Sequence, residues 1–235
     1  MTSLTARDRQ TELMDDPDLD PGLHQQALIG LRRVHWVSGT VSTIWKPIHQ
    51  LAQQTPGTKL RVLDVACGGG DLTVALAARA KRSGHSVEIS GCDISSTALN
   101  FAAAHAAAKR VDVHFFSADV LSAPLPQEYD VVCCSLFLHH LDETDAVKLL
   151  ASMRNAAKRM VLISDLCRSR LGYILAWSGL RLLTRSRICH VDGPLSVRAA
   201  FTPSEILDLA ARAQLSNSTL TRLWPERFLL KWSRE

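Results

Sequence analysis

The residues best suited to chemistry are a glycine loop, three acids and a set of histidines. The run VLDVACGGGD, residues 62–71, closes an apolar stretch and opens one rich in alanine and leucine. Glycines at such a strand-to-helix turn let the backbone pass close to a ligand. Asp64 stands just before the loop, Asp93 closes the next apolar run (GCD, 91–93), and Asp119 follows the one after (SADV, 117–120). An acid about 20 residues past a glycine loop is placed to accept hydrogen bonds from ribose hydroxyls. An acid at the following strand end could accept from the exocyclic amine of adenine. Taken singly, each acid is more often a solvated loop residue or a helix cap. Three of them at three successive strand ends point to a nucleotide-like ligand. The dinucleotide pattern G-x-G-x-x-G/A is met by Gly68 and Gly70 but fails at Thr73. Asp64 instead suits a ligand carrying a cationic amine.

His139 and His140 follow the apolar run YDVVCCS, 129–135. That puts them at the mouth of the same crevice, as candidate general bases for an oxygen nucleophile. The competing reading is support for the helix that follows. His190, Asp192 and Arg198 share a second stretch, read as a loop over the site. There His190 is a third candidate base, and Asp192 and Arg198 could position a polar group of a substrate. An ordinary surface turn with a salt bridge is the alternative. His35, Trp36 and Trp45 fall on N-terminal helices, where aromatic faces can stabilise a cation. The spacing of Trp45 makes it core, and His35 is the substrate-site candidate.

The elements that must position these groups follow from periodicity. Residues 1–20 are polar and turn-rich, read as a poorly ordered arm. Asp20 before Pro21 is an N-cap signature. Helical spacing covers 23–34 and 41–51, with Pro47 expected to kink or restart the second helix. Strands are expected at 59–66, 86–92, 111–116, 129–135 and 158–164, and helices at 71–81, 95–108 and 142–155. That alternation predicts a parallel sheet with helices on both faces. Residues 166–200 interrupt it, and so long a connection is usually functional or carries helices of its own. Thr202, Pro203 and Glu205 form a capping-box signature for a helix reaching 213. Strands at 218–223 and 227–232 close the chain as an antiparallel pair, because only a tight turn separates them.

Composition bounds the rest. The chain has 235 residues with 27 basic and 23 acidic side chains, a formal charge of +4. That charge points neither toward nor away from nucleic acid. The six cysteines show no C-x-x-C pair. They read as reduced, buried thiols of a cytoplasmic protein, and no metal centre is expected. No apolar segment reaches the ~18–20 residues needed to span a bilayer. Residues 171–183 are apolar and flanked by Arg168, Arg170, Arg181, Arg185 and Arg187. This is read as a lid over a greasy pocket, with weak association to an anionic membrane surface as the second reading.

These motifs resemble the class I S-adenosylmethionine-dependent methyltransferases, in particular the branch that modifies quinones and polyketides. VLDVACGGGD is similar to that family's first motif, with Ala66 where glycine is usual. GCDIS, SADVL and YDVVCCSLFLHHL are similar to the next three, and the likeness covers residues 59–165. The resemblance implies a Rossmann-like, doubly wound sheet of seven strands, mostly parallel with an antiparallel last strand. It also implies an N-terminal helical cap over residues 1–58 and a methyltransferase domain over 59–235. By the same resemblance Asp64 would hold the methionine amine, and Ala66, Gly68 and Gly70 would line the methionine end. Asp93 would bind the ribose, Ile94 would pack on the adenine, Asp119 would reach its amine with Val120 beside it, and backbone near Ser135 would complete the pocket. The implied activity is methyl transfer to a small apolar acceptor at a phenolic or carboxylic oxygen. A nucleic-acid methyltransferase is disfavoured, because Ser135-Leu136-Phe137-Leu138 replaces the Asn/Asp-Pro-Pro-aromatic motif. A cofactor-binding partner subunit without catalysis is the remaining alternative.

Overall fold

The computed structural model describes residues 4–16 and 18–234, without the side chains of residues 15, 21, 24, 31–33 and 35–37. His35 and Trp36 therefore lie outside the described side chains. Two helices lead, α1 (Pro21–Val37) and α2 (Thr40–Gln54). Asp20 accepts a hydrogen bond from the amide of Leu23, as its N-cap signature predicts. Pro47 sits inside α2 without ending it. Then come β1 (Leu60–Val65), α3 (Asp71–Ser83), β2 (Val87–Asp93), α4 (Ser96–Lys109), β3 (His114–Ser117), β4 (Tyr129–Ser135), α5 (Glu143–Ala156) and β5 (Ala157–Leu166). The chain ends with α6 (Arg170–Leu183), α7 (Arg187–Ala199), α8 (Pro203–Arg212), β6 (Thr219–Leu223) and β7 (Arg227–Ser233).

The seven strands form one sheet in the order β3-β2-β1-β4-β5-β7-β6. β1 pairs in parallel with both β2 and β4, and β7 runs antiparallel to its neighbours β5 and β6. The central strands β1, β4 and β5 carry apolar runs because both of their faces are covered, while β3 and β6 at the two edges are largely exposed. Leu63, Val65, Val132, Cys134, Val161 and Ile163 face a core closed by α5 and α8. Val62, Val131, Cys133, Met160 and Leu162 face the opposite core, closed by Ile44 and Ile48 of α2 and Leu72 and Leu76 of α3. Side chains on a strand alternate between faces, so each strand serves both cores. The strand order reverses between β1 and β4. The crevice expected at the carboxyl ends of an open sheet lies at that switch point.

Two expectations are corrected. The stretch holding His190, Asp192 and Arg198 is not a loop but part of α7, with Pro194 inside the helix. The Asp-Gly-Pro signature of a turn is overridden by tertiary packing. Gly193 lies so close to α6 that a Cβ there would meet Leu180 Cδ1 at 1.9 Å. The N-terminal arm, expected to be poorly ordered, is tied down along residues 4–16. The amides of Leu13 and Met14 donate to the two carboxylate oxygens of Asp192, at 2.9 and 3.1 Å. Asp8 pairs with Arg198, and Arg168 Nε donates to the carbonyl of Leu4. No polar, turn-rich composition reveals partners that stand more than 160 residues away.

Candidate functional site

Two cavities meet at the carboxyl end of the sheet. The larger, about 660 Å³, is walled by the β1–α3 loop, the end of β2, the end of β4 and the N-terminal segment. Asp64, Ala66, Gly68, Asp93, Ile94 and Ser135 all line it. The loop is shaped by left-handed backbone at Ala66 (φ 53°), Gly68 (φ 52°) and Gly70 (φ 73°). At Gly70 a Cβ would come within 2.7 Å of the Cβ of Ala102, so this glycine serves the close packing of α4 rather than the cavity wall. Ala66 holds a conformation that an L-residue enters only at a cost of roughly 1–2 kcal/mol.

Asp64 is almost fully buried. Burial pushes its carboxyl up to about 7, against hydrogen bonds from Thr73 and Cys133 that pull it down. Thr73 Oγ1 donates to Asp64 Oδ2 at 2.6 Å. The residue that broke the dinucleotide pattern thus supports the acid of this loop. A buried carboxylate facing a cleft, with no cation beside it among the described residues, fits a ligand that brings its own ammonium. Asp93 is pinned to the glycine loop by accepting from the amides of Gly68 (2.8 Å) and Ser95 (2.9 Å). Ile94 is two-thirds exposed to the cleft, a free apolar face beside it.

Besides Gly70, two expected cofactor residues stand elsewhere. The carboxylate of Asp119 accepts from the amide of Leu121 and the hydroxyl of Ser122, capping its own turn. Val120 belongs to the buried core under α5. Neither lines the cleft.

The second cavity, about 330 Å³, is enclosed by the insertion. Leu175, Ala176, Gly179 and Leu180 of α6, Val197 of α7 and Leu166 at the end of β5 give it an apolar wall. Gly179 has nothing within 4 Å of where a Cβ would stand. One cation enters this wall. Arg227 is 3% exposed, and its guanidinium donates to Ser38 Oγ (2.9 Å) and Ser135 Oγ (3.5 Å). Burial lowers it to about 10, opposed by the charge of Asp165. Nothing in the sequence marks Arg227 except a charge at the start of an apolar strand.

Glu12, Leu136 and His140 line both cavities, and His139 lines the second. The two histidines sit on a 3₁₀ turn, Leu138–His140. Leu136, in left-handed backbone, sends the chain from β4 into that turn. His139 is buried and its Nδ1 lies 2.7 Å from Asp165 Oδ1. A carboxylate only accepts, so the His139 ring donates to Asp165 through Nδ1 and turns Nε2 toward the cavity wall. Burial works against the charge on Asp165, but His139 and the amide of Leu166 hold it below the usual carboxylate range. The arm grips the turn from outside: Arg7 Nη2 donates to the carbonyl of His139 (2.7 Å) and Arg9 Nη1 to that of His140 (2.9 Å). Glu12 arrives on the same arm, held by Ser196 Oγ at 2.5 Å.

His190 is not part of this group. Its Nε2 lies 2.9 Å from the carbonyl of Thr184, and it lines neither cavity. Asp192 and Arg198 hold the arm rather than face either cavity. Glu12 and Asp165 were invisible to sequence reading, because each acquires its place through residues far away in the chain.

The chain matches the methyltransferase-domain family over residues 62–159. It is 31% identical over 191 residues to a ubiquinone biosynthesis O-methyltransferase of Thiobacillus denitrificans, covering 75% of this chain and 77% of that one. It is likewise 31% identical over 187 residues to the protein of the same name from Bordetella parapertussis, covering 73% and 72%. Among solved structures it is similar to the plantazolicin methyltransferase in complex with S-adenosylhomocysteine (TM-score 0.66, 17% identity, 93% and 90% of the two chains). It is also similar to the magnesium protoporphyrin IX methyltransferase of Synechocystis with the same molecule bound (TM-score 0.60, 17% identity, 94% and 90%).

Proposed function

The chain belongs to the S-adenosylmethionine-dependent methyltransferases, and we propose that it methylates a hydroxyl, or a carboxylic oxygen, on a small molecule with a substantial apolar body. The observation that carries this reading is the pair of cavities joined at Glu12, Leu136 and His140. A cleft carrying the carboxyl groups of Asp64 and Asp93 meets an apolar chamber at a short wall that holds Glu12 and His140.

Asp64 would hold the amine of the donor, Asp93 its ribose and Ile94 its adenine face, with the loop from Ala66 to Gly69 closing around the methionine end. When bound, S-adenosylmethionine supplies an activated methyl group: its carbon–sulfur bond breaks as the acceptor's oxygen bonds to that carbon, leaving a thioether. The protein's contribution is proximity, alignment and exclusion of water. The insertion 166–200 encloses the acceptor's apolar body as a lid. His139 and His140 are the catalytic residues, and the acceptor's hydroxyl loses its proton at their junction with Glu12. Arg227 offers a buried cation to an oxygen anion in the chamber.

The outer face of α6 supports a further part of this reading. Leu171, Ile174, Trp177 and Leu182 are exposed, the last at 87%, among the exposed Arg170, Arg181 and Arg185. No helix among the described residues is long and apolar enough to cross a membrane. This face would rest weakly on an anionic bilayer in the cytoplasm, where an apolar acceptor is to be found.

The test is methyl transfer from labelled S-adenosylmethionine to a panel of phenols and carboxylic acids, with and without long alkyl substituents. Alkyl phenols should be preferred, and His140→Ala should lower kcat by about 10²-fold or more while S-adenosylhomocysteine still binds. Transfer confined to amines, or an unaltered kcat in both the His139→Ala and His140→Ala variants, would refute the reading.

A further inference from the structure

At the wall between the cavities three electron-pair donors converge. Glu12 Oε1 lies 3.8 Å from His139 Nε2, and Glu12 Oε2 lies 4.0 Å from His140 Nε2. One ligand atom from each of the three residues falls within 4.8 Å of the others. These separations exceed hydrogen-bond reach. Asp165 engages Nδ1 of His139 at 2.7 Å, which leaves Nε2 of the same ring directed toward Glu12. Ser196 Oγ donates to Glu12 Oε1 at 2.5 Å and fixes that carboxylate.

We propose that Glu12, His139 and His140 bind a divalent transition-metal cation of the zinc type, with Asp165 orienting His139 from behind. Two histidines, one carboxylate and a remaining open position make the ligand set of catalytic zinc sites. A carboxylate on the far nitrogen of a ligating histidine is the usual outer support. A tetrahedral ion with bonds of about 2.0–2.1 Å needs donors about 3.3 Å apart. The three side chains reach that by closing in by less than a bond length each. The six cysteines stay out of it: all are free, and burial raises the thiols of Cys67, Cys92, Cys133 and Cys134. This reverses the expectation from cysteine spacing that the chain holds no metal, because the ligands come from the arm and a histidine pair.

The consequence is twofold. The cation clasps the N-terminal arm onto the 3₁₀ turn, completing the wall of both cavities. Glu12 and His140 line both cavities, so an acceptor's hydroxyl there would lie beside the cation. That consequence rests on the function proposed above; the cation site itself does not. The cation would supply positive charge that acidifies the hydroxyl, whose proton would leave to water in the cleft. His139 and His140 then act as ligands.

The experiment is a titration of chelator-stripped, full-length protein with Co²⁺, followed by its visible d–d absorption, and by Zn²⁺ displacement of that signal. The expected result is uptake of about one equivalent with an intense tetrahedral spectrum. Glu12→Gln and His140→Ala should abolish the spectrum. Asp165→Asn should weaken affinity about 10–100-fold, with the far-ultraviolet circular dichroism of each variant checked against the parent. No spectrum in the parent, or the same spectrum in a folded His139→Ala/His140→Ala double variant, overturns the site. Metal uptake without methyl transfer would leave the site standing and remove the reading of function. Full methyl transfer by protein that takes up no cobalt would do the reverse.

Discussion

The two cavities were built by different means. The cleft proposed for the donor is made from the ends of β1, β2 and β4 and the loops that leave them. The chamber proposed for the acceptor is made largely from α6, α7 and an arm that reaches it from the other end of the sequence. In the first, function follows from where a strand stops. In the second it follows from how two helices pack, so a methyl group in the wrong place matters more than any motif. The polar cleft should therefore respond to charge and pH, and the apolar chamber to volume.

The largest effect should come from the charge of Asp64. With its carboxyl near 7 in the free protein, an ammonium-bearing ligand must ionise it on binding. Affinity for S-adenosylhomocysteine should then fall about tenfold for each pH unit below that value, roughly 100-fold between pH 7 and 5, and flatten above it. Calorimetry across pH would show this, and Asp64→Asn should be weaker and nearly pH-independent. The same shift has a stability sign. Because the folded form holds the proton more tightly than the unfolded chain, the free protein loses stability as pH rises from about 4 to 7. The full loss is of order 4 kcal/mol. A ligand-free Tm that rises over that interval, relative to Asp64→Asn, would break this half of the comparison.

Gly193→Ala should cost about 1–3 kcal/mol, since its Cβ would overlap Leu180. It should impair acceptor turnover while donor affinity stays as it was. Denaturant unfolding and calorimetry read the two separately.

Gly179→Leu tests the chamber without that clash. The new side chain enters open space on a cavity wall. Acceptor KM should rise, most for bulky acceptors, and stability should increase by about 0.5–1 kcal/mol, the helix-interior difference between glycine and an ordinary residue. An unchanged KM would mean that the acceptor does not use this chamber.

The smallest effect should be Ala66→Gly. Relief of left-handed strain at Ala66 opposes the greater freedom of glycine in the unfolded chain. The two nearly cancel, leaving Tm within about 1 kcal/mol equivalent and donor affinity unaltered.

The same contrast explains what could be read from the sequence. The order of strands and helices from β1 to β5 was legible because the central strands are buried on both faces and α4 and α5 carry side-chain caps. Asp142 accepts from the amide of Asp145, and Thr202 and Glu205 form the anticipated capping box. Asp64, Ala66, Gly68, Asp93, Ile94 and Ser135 line one cleft for the same reason, since a strand end is a local event. Asp119 caps its own turn outside the cleft, and a capping acid and a ligand-binding acid look alike at a strand end. α7 was mistaken for a loop because Gly193 and Pro194 signal a turn unless a neighbouring helix is known to need the gap. Glu12, Asp165 and Arg227 were out of reach. Their partners are set by how the arm, β5 and β7 meet, which no local pattern encodes.

The central claim is that donor and acceptor meet at the wall formed by Glu12, His139 and His140. The most direct measurement is a crystal structure with S-adenosylhomocysteine and an alkyl phenol bound together. The account predicts the product's adenosine against Asp93 and Ile94, the alkyl chain among Leu175, Ala176 and Gly179, and the phenol oxygen at the wall, directed toward the sulfur. An alkyl phenol bound outside the chamber, or an oxygen turned away from Glu12, His139 and His140 while the sulfur faces another group, would contradict it.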